Sequence, residues 1–274
     1  MPTFVAIDDP DDPRIAPFRD VRERDLVGRD GLFVAEGAVV LAVLAASTRH
    51  CALSLLLDER RVGGLADVLA RLPPETPVNV AGRAVIDAVA GFPLHRGILA
   101  LGRRETPIEA EALLGRLGVR ATVVVACGIA NHDNMGGIFR NAAAFAADAV
   151  ILDAECCDPF YRKAIRVSVG HVLNLPQARL GRGVDVVELL VRHGFDVLSL
   201  TPSAAERLVD VVPARRTALL LGTEGPGLSP SVLARSRPVA IPMAAGVDSL
   251  NVAVTSGIVL HHLASMRDRG DRSA

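Results

Sequence analysis

The chain reads as an α/β protein in two parts: a small α/β domain over residues 1–105, then a larger domain over 106–274 built on a parallel sheet. Three observations predict this. Ala121-Thr122-Val123-Val124-Val125-Ala126 is an unbroken, largely β-branched run, the pattern of a strand covered on both faces. After it, strand-like and helix-like segments alternate to the end of the chain, which is the signature of repeated β-α units. Between the two parts, Arg103-Arg104-Glu105-Thr106-Pro107 interrupts the apolar pattern with charges and a proline.

Taken in order, the first part predicts a charged helix over Arg14 to Val27, an apolar helix from Glu36 to Ser47 and a buried strand from Ala52 to Leu57. Helical spacing follows from Gly63 to Leu72, then a short strand from Pro77 to Val80, a helix from Gly82 to Val89 and a strand from Gly97 to Leu101. In the second part the strand at Ala121 leads to a helix from Gly136 to Ala147 and a strand from Ala149 to Leu152. Next come a helix near Val184 to His193 and strands from Phe195 to Leu200 and Thr217 to Leu221. The last helix runs from about Leu250 to Met266. That helix carries two apolar lines, Leu250, Val254 and Ile258 on one and Val252, Val259 and Leu263 near the other; one face can pack on the sheet while the second needs a partner, which predicts a homodimer.

Composition narrows the function. With 274 residues, 50% of them hydrophobic, 22% charged and a net charge of -1, the chain is expected to be soluble and is no indiscriminate polyanion binder. Aromatic residues make only 3%, which argues against recognition by rings stacking on bases. Lys163 is the sole lysine, so a basic face here means arginine, whose fork fits phosphate in two-pronged fashion. Cys51, Cys127, Cys156 and Cys157 lack the spacing of a zinc site or a disulfide framework and read as reduced thiols, so no metal is expected. The start of the chain shows no basic segment followed by an apolar run, and no later stretch is long enough to span a bilayer; a cytoplasmic protein is expected.

Three loops carry the chemistry, because ligands of parallel sheets bind where loops leave the carboxyl ends of strands. The first runs Asn131-His132-Asp133-Asn134-Met135-Gly136-Gly137-Ile138-Phe139-Arg140 and opens a helix. The second is Leu221-Gly222-Thr223-Glu224-Gly225-Pro226-Gly227. The third extends from Ile241-Pro242-Met243 to Asp248-Ser249-Leu250-Asn251-Val252-Ala253, where Asp248 or Ser249 alone could simply cap the last helix.

In order and residue by residue, these loops resemble the three motifs of the SpoU (TrmH-type) RNA ribose 2′-O-methyltransferases of the SPOUT superfamily: Asn134, Gly136 and Arg140; Gly222, Glu224 and Gly227; and Ile241 through Ala253. Phe33-Val34-Ala35-Glu36-Gly37 is similar to the start of the L30e-like substrate-binding domain often fused in front of such enzymes. Arg166-Val167-Ser168-Val169-Gly170 resembles the family's Ser-x-Gly stretch, with His171 where a small residue is common.

The resemblance implies a parallel sheet whose C-terminal segment is threaded into a trefoil knot, a homodimer with residues of both chains near the acceptor, and metal-free use of S-adenosylmethionine. Carried over, cofactor contacts fall on Leu200, Thr201, Gly222, Gly227, Ile241 and Leu250. Arg140 is implied as the catalytic group, with Asn134, Glu224, Ser249 and Asn251 orienting it, the ribose and the cofactor. A guanidinium is a poor base, its pKa exceeding about 12, so Arg140 either stabilises the developing alkoxide as a charged donor or is held deprotonated by its setting. RNA, ribosomal or transfer, is the expected partner, held by Arg14, Arg19, Arg22, Arg24 and Arg166. Two other classes compete. A non-catalytic RNA-binding or assembly protein on the same fold is opposed by the intact Arg140, Glu224 and Asn251. A nucleotide-dependent oxidoreductase is opposed by the lack of G-x-G-x-x-G after the first strand and of any P-loop.

Overall fold

The computed structural model describes residues 3–19, 31–91, 94–223 and 225–272. The backbone forms two compact units, one of Met1–Thr106 with Asp158–Asn174, the other of Pro107–Cys157 with Leu175–Ala274. The sequence boundary near residue 105 therefore needs one amendment: residues 158–174, assigned from sequence to the larger part, pack in the smaller one.

The first unit contains β1 (Thr3–Ile7), β2 (Leu32–Glu36), α1 (Ala38–Ala45), β3 (Cys51–Asp58), β4 (Pro77–Ala81), α2 (Arg83–Ala90) and β5 (Ile98–Arg103). Its sheet has the order β1-β4-β3-β5-β2 and is mixed: β4 pairs parallel with β1 and β3, while β5 pairs antiparallel with β3 and β2. Ile7, Ile15, Phe18, Leu56, Ile86 and Leu99 close the core on one side. Several expected helices are shorter or tighter. Pro17 breaks the i to i−4 ladder, so the charged segment begins as a 3-10 turn, Pro13–Phe18, and residues 20–30 lie outside the described set. Gly37, at φ 95, separates β2 from α1 where the sequence reading ran one helix from Glu36. Glycines 63 and 64 likewise leave a 3-10 stretch, Glu59–Leu65, before a four-residue helix, Ala66–Leu69.

The segment 158–174 is held to this unit by Phe160, which sits 5.5 Å from the Phe33 ring and 5.3 Å from that of His50, and by an Arg104–Asp158 ion pair at 3.0 Å. Arg162 lies 3.5 Å from the buried carboxylate of Glu36, and Gly170 packs against Val43.

The second unit contains α3 (Ala110–Arg116), β6 (Ala121–Ala126), α4 (His132–Ala144), β7 (Ala149–Leu152), β8 (Gln177–Arg179), α5 (Val186–Arg192), β9 (Asp196–Leu200), β10 (Glu206–Arg207), β11 (Arg216–Leu221), β12 (Arg237–Ala240) and α6 (Val252–Arg272). All seven strands are parallel, in the order β10-β12-β9-β11-β6-β7-β8. Every residue of β6 is buried, as its β-branched run requires. Arg216 stacks over Phe195 at 4.4 Å and donates to the carbonyls of Leu114, Leu117 and Gly118, satisfying the end of α3. The chain runs from β6 through β7 to β8 on one side, then returns to build β9, β11 and β12 on the other, so the carboxyl ends of β12, β9 and β11 lie side by side. Although β12 lies away from the centre, α6 returns to pack along α4 beside β6.

Candidate functional site

The first and third loops meet through α4 and α6. Asn131 caps α4, its side chain accepting from the Asp133 N–H at 2.8 Å. One turn on, Asn134 is buried, 6% exposed, and its Oδ1 accepts from Asn251 Nδ2 at 2.8 Å. The other end of the Asn251 amide caps α6: Oδ1 accepts from the N–H groups of Ala253 at 2.9 Å and Val254 at 3.2 Å. The cap is therefore Asn251, not Asp248 or Ser249. Asn141 donates to the Ala253 carbonyl at 2.6 Å and to Ser256 Oγ at 3.0 Å, and a Cβ on Gly137 would stand 2.7 Å from that of Ala253. Only glycine at 137 lets the two helices close this far.

The second loop folds back on itself. Thr223 bridges Gly227, and Gly225 and Gly227 take φ of 92° and 69°. A Cβ on Gly222 would sit 2.6 Å from the Gly227 carbonyl carbon and the Leu228 nitrogen, so its glycine makes room for the loop's own backbone as well as for a ligand. Between β12 and α6 the third loop runs without regular structure, its residues from Ala244 to Asn251 exposed.

These loops enclose a cavity of about 820 Å³ over the carboxyl ends of β9, β11 and β12. Leu200, Thr201, Gly222, Gly227, Ile241 and Leu250 all line it, as do Ser249 and Asn251. Sequence reasoning missed Thr223, Leu233 and Thr255, which also line it; Thr223 was within reach, since it lies inside the glycine loop. Asp248, read there only as a possible cap, adds a lining carboxylate.

Arg140 is not among the lining residues. It is exposed and has no hydrogen-bond or ion-pair partner among the described residues, one turn on from Gly137 at the α4–α6 seam. Beside that seam, Leu250, Val254 and Ile258 are 39%, 52% and 38% exposed, whereas Val252, Val259 and Leu263 are buried. Glu224, Arg22 and Arg24 lie outside the described residues. Arg14 is ion-paired with Asp12, Arg19 with Asp11 at 3.0 Å, and Arg166 is exposed.

Burial, helped by the Asp153 carboxylate, pushes Cys127 and Cys156 each up to about 12, which keeps these two sulfurs as neutral thiols. Among the described residues no group of three His, Cys, Asp or Glu is placed to hold a metal ion, and no helix is long and apolar enough to cross a membrane.

Residues 121–261, which include all three loops, match the SpoU rRNA Methylase family. The chain is 41% identical over 263 residues to an uncharacterized tRNA/rRNA methyltransferase of Mycobacterium bovis, across 92% of this chain and 89% of that one. Its fold is similar to that of an RNA 2′-O ribose methyltransferase, with a TM-score of 0.74, 25% identity and coverage of 96% of this chain and 99% of that one. It is also similar to the SpoU methyltransferase AviRb from Streptomyces viridochromogenes in complex with AdoMet, with a TM-score of 0.76, 21% identity and coverage of 94% and 100%. With a fold, a loop set and a whole-length relative in agreement, the chain belongs to the SpoU rRNA methylase family.

Proposed function

We propose that the protein transfers a methyl group from S-adenosylmethionine to a ribose 2′-hydroxyl of ribosomal or transfer RNA, as a homodimer in which Arg140 of one protomer serves the cavity of the other. The observation that carries this reading is a division of labour: one cavity gathers residues of the second and third loops, while Arg140 of the first stands outside it on an exposed face.

The cavity suits the cofactor. Its size lies within the range of small-molecule sites, and Leu200, Ile241 and Leu250 give aliphatic walls for an adenine, with glycine backbone at Gly222 and Gly227 for close approach. When bound, S-adenosylmethionine supplies an activated methyl group, leaving the protein to orient the acceptor and manage its proton. Asn251 holds the third loop to α4 through Asn134, so these two amides position the cavity wall rather than reach the acceptor. Arg140 donates charge-assisted hydrogen bonds to the ribose oxygen as negative charge grows there. The exposed apolar line Leu250, Val254, Ile258 is the surface on which a second copy would bury itself and bring its own Arg140 to bear.

The same reading takes the return of the chain from β12 to α6 as the thread of a trefoil knot. It takes the first unit as an L30e-like RNA-holding domain with Arg14, Arg19, Arg22, Arg24 and Arg166 toward phosphate, and places the enzyme in the cytoplasm with its RNA. Alkaline hydrolysis of RNA labelled from [methyl-3H]S-adenosylmethionine tests the site of transfer. A 2′-O-methyl blocks cleavage of its own linkage, so label recovered in alkali-resistant dinucleotides supports the reading and label in mononucleotides contradicts it.

A further inference from the structure

A second cavity, of about 730 Å³, opens on the other side of the loop that leaves β11. It lies over the carboxyl ends of β6, β7 and β8 and shares Thr223, Gly227 and Leu228 with the first. Two crevices flanking one loop follow from the strand order, because β9 and β12 lie to one side of β11 and β6, β7 and β8 to the other. The wall between them is closed at its base: a Cβ on Gly128 would meet Thr223 Cγ2 at 2.4 Å.

The lining suits a flat ring with a polar edge. Leu180, Val186, Leu228 and Val232 provide aliphatic surface, and the hydroxyl residues Thr223 and Ser229 stand beside it. One wall is rigidly built. Asp153 Oδ2 accepts from Gly128 N–H at 2.8 Å, and its Oδ1 accepts from the N–H groups of Glu155 at 3.0 Å and Cys156 at 2.9 Å. Arg179 donates to the carbonyls of Asp153, Cys156 and Cys157. Nothing of this kind holds Glu155 and Arg182 at the mouth. Their side chains come from different loops, are 69% and 86% exposed, and meet at 3.7 Å, a pairing that costs little to open. Once parted, the carboxylate accepts from a ring N–H or amino group and the guanidinium donates to a ring carbonyl or nitrogen, so the two discriminate between base edges.

We propose that this cavity receives a nucleobase of the substrate RNA, swung out of its stack, and that Glu155 and Arg182 read its edge. The proposal rests on the RNA methyl-transfer reading above. A nucleotide that enters the protein with its ribose needs a place for its base, and leaving the stack costs a few kcal/mol that a preformed slot offsets.

The test uses the full-length protein and three variants outside the first cavity: Val184→Trp at the half-exposed rim, Glu155→Gln and Arg182→Ala. Affinity for S-adenosylmethionine, read by calorimetry, is expected to stay within twofold of wild type in all three. Val184→Trp is expected to raise the KM for RNA at least tenfold, and the two charge variants to alter the ratio of nucleosides methylated. A wild-type KM in Val184→Trp overturns the proposal. Independently of turnover, amide spectra of protein saturated with S-adenosylhomocysteine are followed while each of the four nucleoside 5′-monophosphates is added. Shifts at Thr223, Ser229 and Arg182 that disappear in Val184→Trp, in a protein that methylates no RNA, would overturn the methyl-transfer reading and keep this cavity as a nucleotide site. S-adenosylhomocysteine itself seated against Leu180 and Val184 would make it the cofactor cavity and overturn the proposal.

Discussion

The carboxamide of Asn251 donates to Asn134 at 2.8 Å while its oxygen caps α6, so one side chain ties the third loop to the first and starts the last helix. Asn251→Ala removes a helix cap, worth about 1 kcal/mol, and a hydrogen bond to the buried Asn134, worth about 0.5–1.5 kcal/mol. We expect a loss of about 1.5–2.5 kcal/mol in urea denaturation. Asn251→Ser, which keeps a capping oxygen, is expected to recover about 1 kcal/mol of it. A loss below about 0.5 kcal/mol in the alanine variant would leave the amide pair without a structural role.

Gly137 gives a size-swap test of the α4–α6 seam. Alanine there is a better helix former by about 1 kcal/mol, yet its methyl group meets that of Ala253 at 2.7 Å. Overpacking should win, lowering stability by about 1–3 kcal/mol, and Ala253→Gly in the same chain should restore part of it. A Gly137→Ala variant with a raised Tm would show that the helices part freely.

Much of this was legible beforehand, and the illegible parts have physical causes. Short continuous apolar runs, β-branched in β6 and leucine-rich in β11, marked β6, β7 and β11 because strands buried on both faces need no alternation. The set of residues that lines the first cavity was legible only through the family resemblance, since Leu200 and Thr201 carry no local signal. The two lines of α6 separated as their spacing implied, with Val252, Val259 and Leu263 buried and Leu250, Val254 and Ile258 exposed. The place of residues 158–174 was not legible, because Phe160 finds its partners Phe33 and His50 more than a hundred residues away. Nor was the exposure of Arg140: a motif gives the order of residues along the chain, not which cavity a side chain reaches.

Filling the first cavity should separate binding from folding better than changing Gly222, whose replacement displaces the loop's own backbone. Thr201→Trp is expected to weaken S-adenosylmethionine at least tenfold by calorimetry with the Tm within a few degrees of wild type. Unchanged affinity would move the cofactor elsewhere.

The first unit should be acid-sensitive through His50. Burial, then the charge of Arg49, holds this ring down to about 4 from its usual 6.5. Between those values the unfolded chain binds more protons than the folded one, so stability falls as pH drops from 6.5 to 4 and does not depend on this group above 6.5. The expected cost across that window is about 2 kcal/mol, below what the shift alone implies because the ring is partly screened by solvent. His50→Asn, followed by urea midpoints against pH, should flatten the slope; an unchanged slope would assign it to other groups.

The most direct measurement of the central claim mixes two inactive chains. Arg140→Ala keeps the cavity but lacks the donor, with an expected loss of about a hundredfold or more in single-turnover methylation. Thr201→Trp keeps the donor but blocks the cavity. If Arg140 works across the dimer, half of randomly mixed dimers hold one complete site, and the mixture should recover about a quarter of the wild-type rate. A mixture as inactive as its parts, or an Arg140→Ala chain that methylates RNA at the wild-type rate, would contradict the account.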